Sequence, residues 1–583
     1  MRAHPGGRSA SRTVWFPIVW LAGLPALSHV HTTAADSLYM VRIGNPAQAD
    51  RLPRQIERAY ACGARIIRIN PGTYDLPATS GAGAAVFDLA GWRHAVLGAY
   101  HVTLIMHAIH SGTCFRLYHC KYITIEGPVI SQTRLTFYQG KITRVQRTRA
   151  GISCVWRPAT GYPFPNIHAG NFPESQFQVT NGKRILFNVV DRRTRRLRAG
   201  VPDLWGSMTP VGRRSFRLNF RIPRPEFRVG DWLVSRLGNW PHKVSLHDSR
   251  DCTLRDVTVE RNGFAPIFEQ GGGGNRMIGC RWVSGPKPAG AREKPLVTNE
   301  ADGLHSYGAD PGPDIERCVF RGVFLDDCIA IHGFFQTVVA AAGRNITIRY
   351  IRSRPWIDAR LRVGEPIQIS SKQGFFARAR VIAISAKRHQ TRVVTLDRRL
   401  SVPVGADVTN PGRCGQGYKV IDCRLGDTRA RGMNLKGSNG IVVGNTIDGC
   451  GMSGISIGPE EIHWHEAGYC HNVIIERNTL IHNGKAGGDN AAVFVHGAVY
   501  GWQIPGAGAI GNSRIVVADN TFVSNLAGDI RVDWTRSGII GGNKLVGPPS
   551  PAAPYWILVK HSGKIVIGRN NTVRPGANTR TRG

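Results

Sequence analysis

Residues 298–333 read TNEADGLHSYGADPGPDIERCVFRGVFLDDCIAIHG. They hold Asp302, then the adjacent pair Asp326 and Asp327, with His332 close behind. Asp302 and Asp326 are 24 residues apart. In a chain that coils with a period of about 20–30 residues, that spacing puts them on neighbouring rungs, roughly 5 Å apart at the backbone. Carboxylates so close repel, so their pKa values separate. One can hold a proton while another stays ionised. Breaking a glycosidic bond needs that division of labour. An isolated Asp-Asp pair more often caps a turn. Here DG, DD and HG elements recur on consecutive rungs, which favours a site. Adjacent strand residues face opposite sides, so Asp326 and Asp327 reach one cleft together only from a bend or bulge.

The elements that position these residues form a repeat. Short β-rich runs ending in Asn recur as GIVVGNTI (440–447), NVIIERNTL (472–480), RIVVADNTF (514–522), GIIGGNKL (538–545) and KIVIGRNNTV (564–573). Their equivalent asparagines are taken as Asn445, Asn478, Asn520, Asn543 and Asn570, and the interval of 42 between the second and third fits two coils. Similar runs occur at 122–130, 252–260, 276–283, 314–323 and 345–351. One such coil cannot bury its apolar face alone, so coils must stack. The expected fold is all-β, a right-handed parallel β-helix. An ordinary β-sandwich explains the Asn spacing poorly. Residues 56–76 read as a short amphipathic helix, a strand and a Pro-Gly turn, which would cover the open end of the solenoid.

The expected organisation is a signal peptide over 1–35, an N-terminal cap and first coils over 36–130, and an inserted β-rich region over 131–240. Coils with the carboxylates follow over 241–355, then a small inserted barrel over 356–412, further coils over 413–573 and a disordered tail over 574–583. Arg2, Arg8 and Arg12 precede an apolar run from Val14 to Leu27, the pattern of an export signal. Pro17, Pro25 and the short length argue against a spanning helix, and no stable membrane span is expected. The protein is expected to be exported, periplasmic or extracellular.

The chain has 583 residues and a formal net charge of +36. The basic residues are spread along the chain without a nucleic-acid motif, so no nucleic-acid partner is expected. The 12 Cys form no CxxC pair, which excludes zinc-ribbon and thioredoxin-like patterns. Cys252, Cys280, Cys318 and Cys423 fall at similar places in strand-like runs and read as stacked interior residues, with one or two disulfides open to an exported chain. GAGAIG (506–511), GISIG (454–458) and HWHE (463–466) lack the structural context or spacing of dinucleotide, serine-hydrolase and zinc sites. No metal and no cofactor is expected.

The elements ADGLHS (301–306), GPDIERCVF (312–320) and DDCIAIHG (326–333) resemble the core of glycoside hydrolase family 110, the exported α-1,3-galactosidases. The resemblance continues in RARGMNLKGSNGIVVGNTI (429–447), HWHEAGYCHNVIIERNTL (463–480), FRVGDWLVSR (227–236) and FYQGKI (137–142). It implies a metal-independent inverting hydrolase acting on an oligo- or polysaccharide. Asp326 would match the general acid, with Asp302 and Asp327 activating water on the opposite face. His305 and His332 would bind sugar hydroxyls or tune the acid. Arg429 and Arg431 would hold the carboxylates. Glu460, Glu461, Trp464 and Glu466 form a second cluster, in which an indole packs on a sugar face and carboxylates bind its hydroxyls. The chain departs from the family at Ala330, where Asn is expected, and at the longer loop ADPGP (309–313). Two other readings stay open. One is a uronate lyase or epimerase, which needs a calcium-binding carboxylate cluster beside an Arg or Lys base. The other is a non-catalytic glycan-binding or envelope protein on the same scaffold.

Overall fold

In the computed structural model, the chain is described over residues 40–574, except 79–83, 108–112, 134, 149–150, 164–183, 199–200, 202, 221–226, 238–241, 352–356, 463, 485–490, 498–508, 550 and 552–554. The expected export segment and the tail beyond Arg574 lie outside the described residues.

Each full coil carries three short strands. The coil bearing the DG element runs Arg276–Ile278, Arg281–Val283 and Leu304–Tyr307. The next runs Asp314–Glu316, Val319–Phe320 and Ile329–Phe334, and the one after it Lys419–Ile421, Arg424–Gly426 and Met433–Leu435. Equivalent strands stack into three long parallel sheets, here the first, second and third in coil order. This is a parallel β-helix. The alternation of the runs explains it: in the first sheet Leu254, Met277, Ile315, Val420, Val442, Ile475, Val517 and Ile540 stand in register. All eight are buried. No single coil could dry that face by itself.

The corner between the first and second sheets carries an asparagine ladder. The Asn478 side-chain oxygen accepts from the backbone N–H and the side-chain amide of Asn445, both at 2.9 Å. Asn520 does the same for Asn478, and Asn543 for Asn520. The last member is Asn571, whose Oδ1 accepts from Asn543 N–H at 3.1 Å, so the expected Asn570 is one residue out of step. The 42-residue interval is one lengthened coil, because His471–Glu476 pairs directly with Ser513–Ala518. Cys423 precedes the ladder in the same corner, its N–H bonded to Asn445 Oδ1 at 2.9 Å. Cys280 and Cys318 share that corner position. Cys252 does not: it precedes Thr253–Arg255 of the first sheet, at a different corner. All twelve cysteines are free thiols, and all but Cys62 are buried. Cys280, Cys318 and Cys423 stack as small apolar residues of that corner, whereas Cys154 packs in the core of the first barrel.

The helix Leu52–Ala61 buries Leu52 and Ile56 against the first coils, as an end cap should. It starts ahead of the expected Ile56 because Pro53 suits a first helical turn. Two closed six-stranded antiparallel barrels interrupt the coils. The first takes strands from Phe137–Thr148 through Trp232–Arg236. The second takes strands from Gln336–Ala342 through Asp407–Thr409. Its first strand therefore begins two residues after the carboxylate-coil strand Ile329–Phe334 ends. Among the described residues no helix is long and apolar enough to cross a membrane.

Candidate active site

Register fixes the site. Leu304, Ile329 and Met433 are direct partners on successive rungs of the third sheet. Asp302, Asp327 and Arg431 each lie two residues before one of them, so they stack at one position. The backbone records this: Asp302 Oδ1 accepts from Asp327 N–H at 3.1 Å, and Asp327 Oδ1 accepts from Arg431 N–H at 2.7 Å. The Gly after Asp302 is required, since a Cβ on Gly303 would meet the Cys328 carbonyl oxygen at 2.6 Å. Asp326 is one residue off the stack, at the bend between Val323–Phe324 and Ile329–Phe334. That bend lets both carboxylates of the pair reach one place. One oxygen from each of Asp302, Asp326 and Asp327 fits within 4.8 Å of the others.

The three environments differ. Asp302 is raised to about 7, first by burial and also by the Asp326 and Asp327 charges, against the hydrogen bond from His305. Asp327 is also raised by burial, opposed by Arg431, whose Nη1 lies 3.2 Å from Asp327 Oδ2. Asp326 is the most exposed of the three, and its Oδ2 accepts from Arg236 Nη2 at 3.1 Å.

A histidine relay backs Asp302. His305 Nδ1 is 2.6 Å from Asp302 Oδ2, and His305 Nε2 is 3.1 Å from His332 Nε2. His332 Nδ1 donates to the Gly333 carbonyl at 2.7 Å. Its Nε2 is therefore an acceptor, which assigns the proton on His305 Nε2. Burial drives His332 down to about 4 despite Glu466 nearby. Burial also opposes charge on His305, but Asp302 outweighs it and the imidazole is raised. Phe268 stacks on His305 with centroids 5.7 Å apart, extending an aromatic face beside the relay.

Glu466 joins the far side of the site, 3.9 Å from His332 Nε2 and 3.4 Å from the buried Lys436 ammonium. Burial works against its charge, yet His332 and Lys436 hold it down at about 2. Arg429 reaches Asp326 Oδ1 at 4.0 Å, but its strong bonds are to Asp203, with Nε at 2.8 Å from Oδ1. The structure thus brings together Asp302, Asp326, Asp327, His305, His332, Arg429, Arg431 and Glu466. It leaves Glu460 and Glu461 elsewhere. Glu460 accepts from the N–H groups of Ile462 and Trp464 and so closes its own loop. Glu461 is buried against Ser370 of the second barrel, and burial lifts it to about 8. Trp464 is partly exposed at the tip of the Glu460 loop.

Sequence reasoning missed Arg236, Asp203, Lys436 and Asn434, whose Oδ1 accepts from Lys436 Nζ at 2.7 Å and whose amide donates to Glu466 Oε2 at 3.4 Å. Arg236 ends the last strand of the first barrel, and Glu300 Oε2 accepts from Leu237 N–H at 3.2 Å to seal that strand to the coil. Both Arg236 and Lys436 lie inside quoted motifs, at 227–236 and 429–447. No periodicity announces that an insert returns a guanidinium to a coil about 90 residues later.

No family model matches the chain. It is 26% identical over 305 residues to alpha-1,3-galactosidase B of Akkermansia muciniphila, across 50% of this chain and 37% of that protein. It is 22% identical over 265 residues to alpha-1,3-galactosidase A of Shewanella woodyi, across 45% of this chain and 42% of that protein. The chain thus spans about two fifths of the length of these curated relatives. A solved glycoside hydrolase overlays 92% of this chain and 94% of its own, with 10% identity and a TM-score of 0.39. The similarity to the first of these relatives extends over about half the chain.

Proposed function

We propose that this chain is an exported glycoside hydrolase that cleaves an α-galactoside-like linkage with Asp302, Asp326 and Asp327. The observation that supports it most is the arrangement of the carboxylates. Two are stacked on one register position, and the third stands beside them at the bend, most open to solvent. Asp326 then donates a proton to the leaving oxygen. Asp302, backed by His305 and His332, and Asp327 take the proton of the attacking water. Arg431 and the Asp203–Arg429 pair keep the carboxylates in place, and Glu466 with Lys436 binds hydroxyls. The basic start and the run Val14–Leu27 support export.

Inversion is the stereochemistry adopted. Asp302 is bonded to an imidazole that can carry a proton away, which suits a water-activating base better than a nucleophile. The short spacing argues the other way, since retaining pairs lie about 5–5.5 Å apart and inverting pairs about 6.5–9.5 Å. NMR of the first anomer released from an α-1,3-linked digalactoside decides between them. A β-anomer supports inversion, and an α-anomer overturns it.

A second reading has its own support: Asp302, raised to about 7, is itself the proton donor. The direction of one pH limb separates the two. A base must be ionised, so activity governed by Asp302 rises through pH 7. A donor must be protonated, so activity falls there. No hydrolysis of any α-galactoside by wild-type protein, with an unsaturated product from polyuronate, overturns both.

A further inference from the structure

Away from the carboxylates, the second barrel leans over the first sheet and leaves a cleft of about 480 Å³. The barrel strand Phe376–Ile384 forms one wall, with Phe376 and Arg378. The other wall comes from successive coils: His471 opens His471–Glu476, Ser513 and Arg514 open Ser513–Ala518, and Arg536 immediately precedes Ser537–Gly541. The volume lies in the range of small-ligand sites, about 300–1,000 Å³.

The lining carries one sign of charge. Arg378, Arg514 and Arg536 converge, and among the described residues none of them has a carboxylate partner. Burial and the other two guanidiniums push Arg378 below its ordinary value. His471 adds no acceptor to the cleft. Gln368 Nε2 lies 3.2 Å from His471 Nε2, and Gln368 Oε1 already accepts from Tyr469 N–H. His471 Nε2 is therefore an acceptor bonded to Gln368 and Arg378, and His471 Nδ1 donates to Ser513 Oγ at 2.7 Å. The Ser513 hydroxyl proton is left to point into the cleft. Burial and the three arginines together hold the ring uncharged, down at about 3. The walls thus present three guanidiniums and one hydroxyl donor beside the Phe376 ring, over which the Arg378 guanidinium lies 5.9 Å from the centroid. Like charges gathered without a counterion destabilise a fold, and an oxyanion is what relieves them, with guanidinium forks suited to its geometry.

We propose that this cleft binds the oxyanion group of an acidic saccharide, a sulfate ester or carboxylate on a sugar whose ring packs on Phe376. The site is separate from the carboxylate stack and stands whether or not the chain is a hydrolase.

The test is calorimetric titration of the full chain with inorganic sulfate, a heparin-derived hexasaccharide, an oligogalacturonate of the same length and a neutral α-1,3-linked digalactoside. It is repeated on Arg514→Ser/Arg536→Ser and on Arg281→Ser/Arg424→Ser, which removes equal charge from the second sheet. The expected result is binding of an acidic oligosaccharide by wild type and by the second-sheet variant. It should weaken at least tenfold in Arg514→Ser/Arg536→Ser, while any binding of the neutral digalactoside at the carboxylate stack stays at the wild-type level in that variant. Inorganic sulfate binding as tightly as the oligosaccharide, and lost in the same variant, supports the oxyanion site and removes the ring from it. Equal weakening in both double variants overturns the proposal in favour of diffuse surface charge. No binding of any anion by wild type also overturns it. The variant's own folding is checked by its Tm without anion, which should match or exceed wild type because like-charge repulsion is relieved.

Discussion

His305 Nδ1 lies 2.6 Å from Asp302 Oδ2, three residues earlier on the same coil. The pair holds one proton between a carboxylate raised by burial and an imidazole raised by that carboxylate. His332, locked with its Nε2 as acceptor, receives the other N–H of His305. This chain lets Asp302 change protonation near neutrality without leaving a bare charge in a buried corner.

Removal of His305 should move that titration. Its hydrogen bond favours the Asp302 carboxylate, so His305→Ala raises the Asp302 pKa further above about 7. With Asp302 as base, the rising limb of kcat/KM moves to higher pH and kcat falls about 100-fold. A profile measured between pH 5 and 9 checks this. A limb that stays in place removes Asp302 from the titration.

Asp326→Asn should separate substrates by leaving group. Loss of a proton donor costs about 10²–10⁴ on a natural disaccharide and much less on an aryl glycoside whose leaving group needs no proton. Equal losses on both would move the donor role to Asp302.

Asp203 belongs to the first barrel, yet it anchors Arg429 beside Asp326. Asp203→Ala should free Arg429, lower stability by about 1.5–3 kcal/mol and reduce kcat with little change in KM. Arg429→Lys should show the same two losses, because one ammonium cannot replace a guanidinium fork. Denaturant titration and steady-state kinetics check the two effects separately.

Asn520 is a mid-ladder residue whose Oδ1 receives two bonds from Asn478 and whose amide reaches Ile475 and Asn543. Asn520→Ala leaves the buried Asn478 N–H without its acceptor, at a cost of about 1–3 kcal/mol. The midpoint of denaturant unfolding should fall while activity of the folded fraction stays near wild type. Asn570→Ala, off the ladder, should leave the midpoint unchanged.

Glu269 is fully buried inside the solenoid, bonded to Ser306 and Asn275, and burial lifts it to about 7. An unfolded Glu titrates at about 4.3. A raised folded pKa gives stability that is complete below about 4.3 and lost as pH rises through about 7. Glu269→Gln should therefore shrink the drop in Tm between pH 5 and pH 8 by several degrees. A drop of unchanged size would show that Glu269 is not the group responsible.

The coil was legible because stacking repeats it. β-Branched alternation and a corner asparagine recur along the chain, and each repeat faces the same burial problem, so the period alone identifies the solenoid. The DG and DD spacing likewise placed Asp302 and the Asp326–Asp327 pair on adjacent rungs, since register depends on residue count along one coil. What residue count could not give was anything returned from an insert. Arg236 and Asp203 enter through the closed barrel, and only closure of that barrel decides where its last strand points. The split of Glu460 and Glu461 from Glu466 has the same origin. Adjacent carboxylates in one loop are sent to the loop's own amides, to the second barrel and to Lys436 by a turn whose shape depends on packing against Ile329–Phe334. Sequence fixed which residues repeat; contacts between segments far apart in sequence decided which charges meet, because charge pairing depends on distances of a few ångströms that no spacing along the chain encodes.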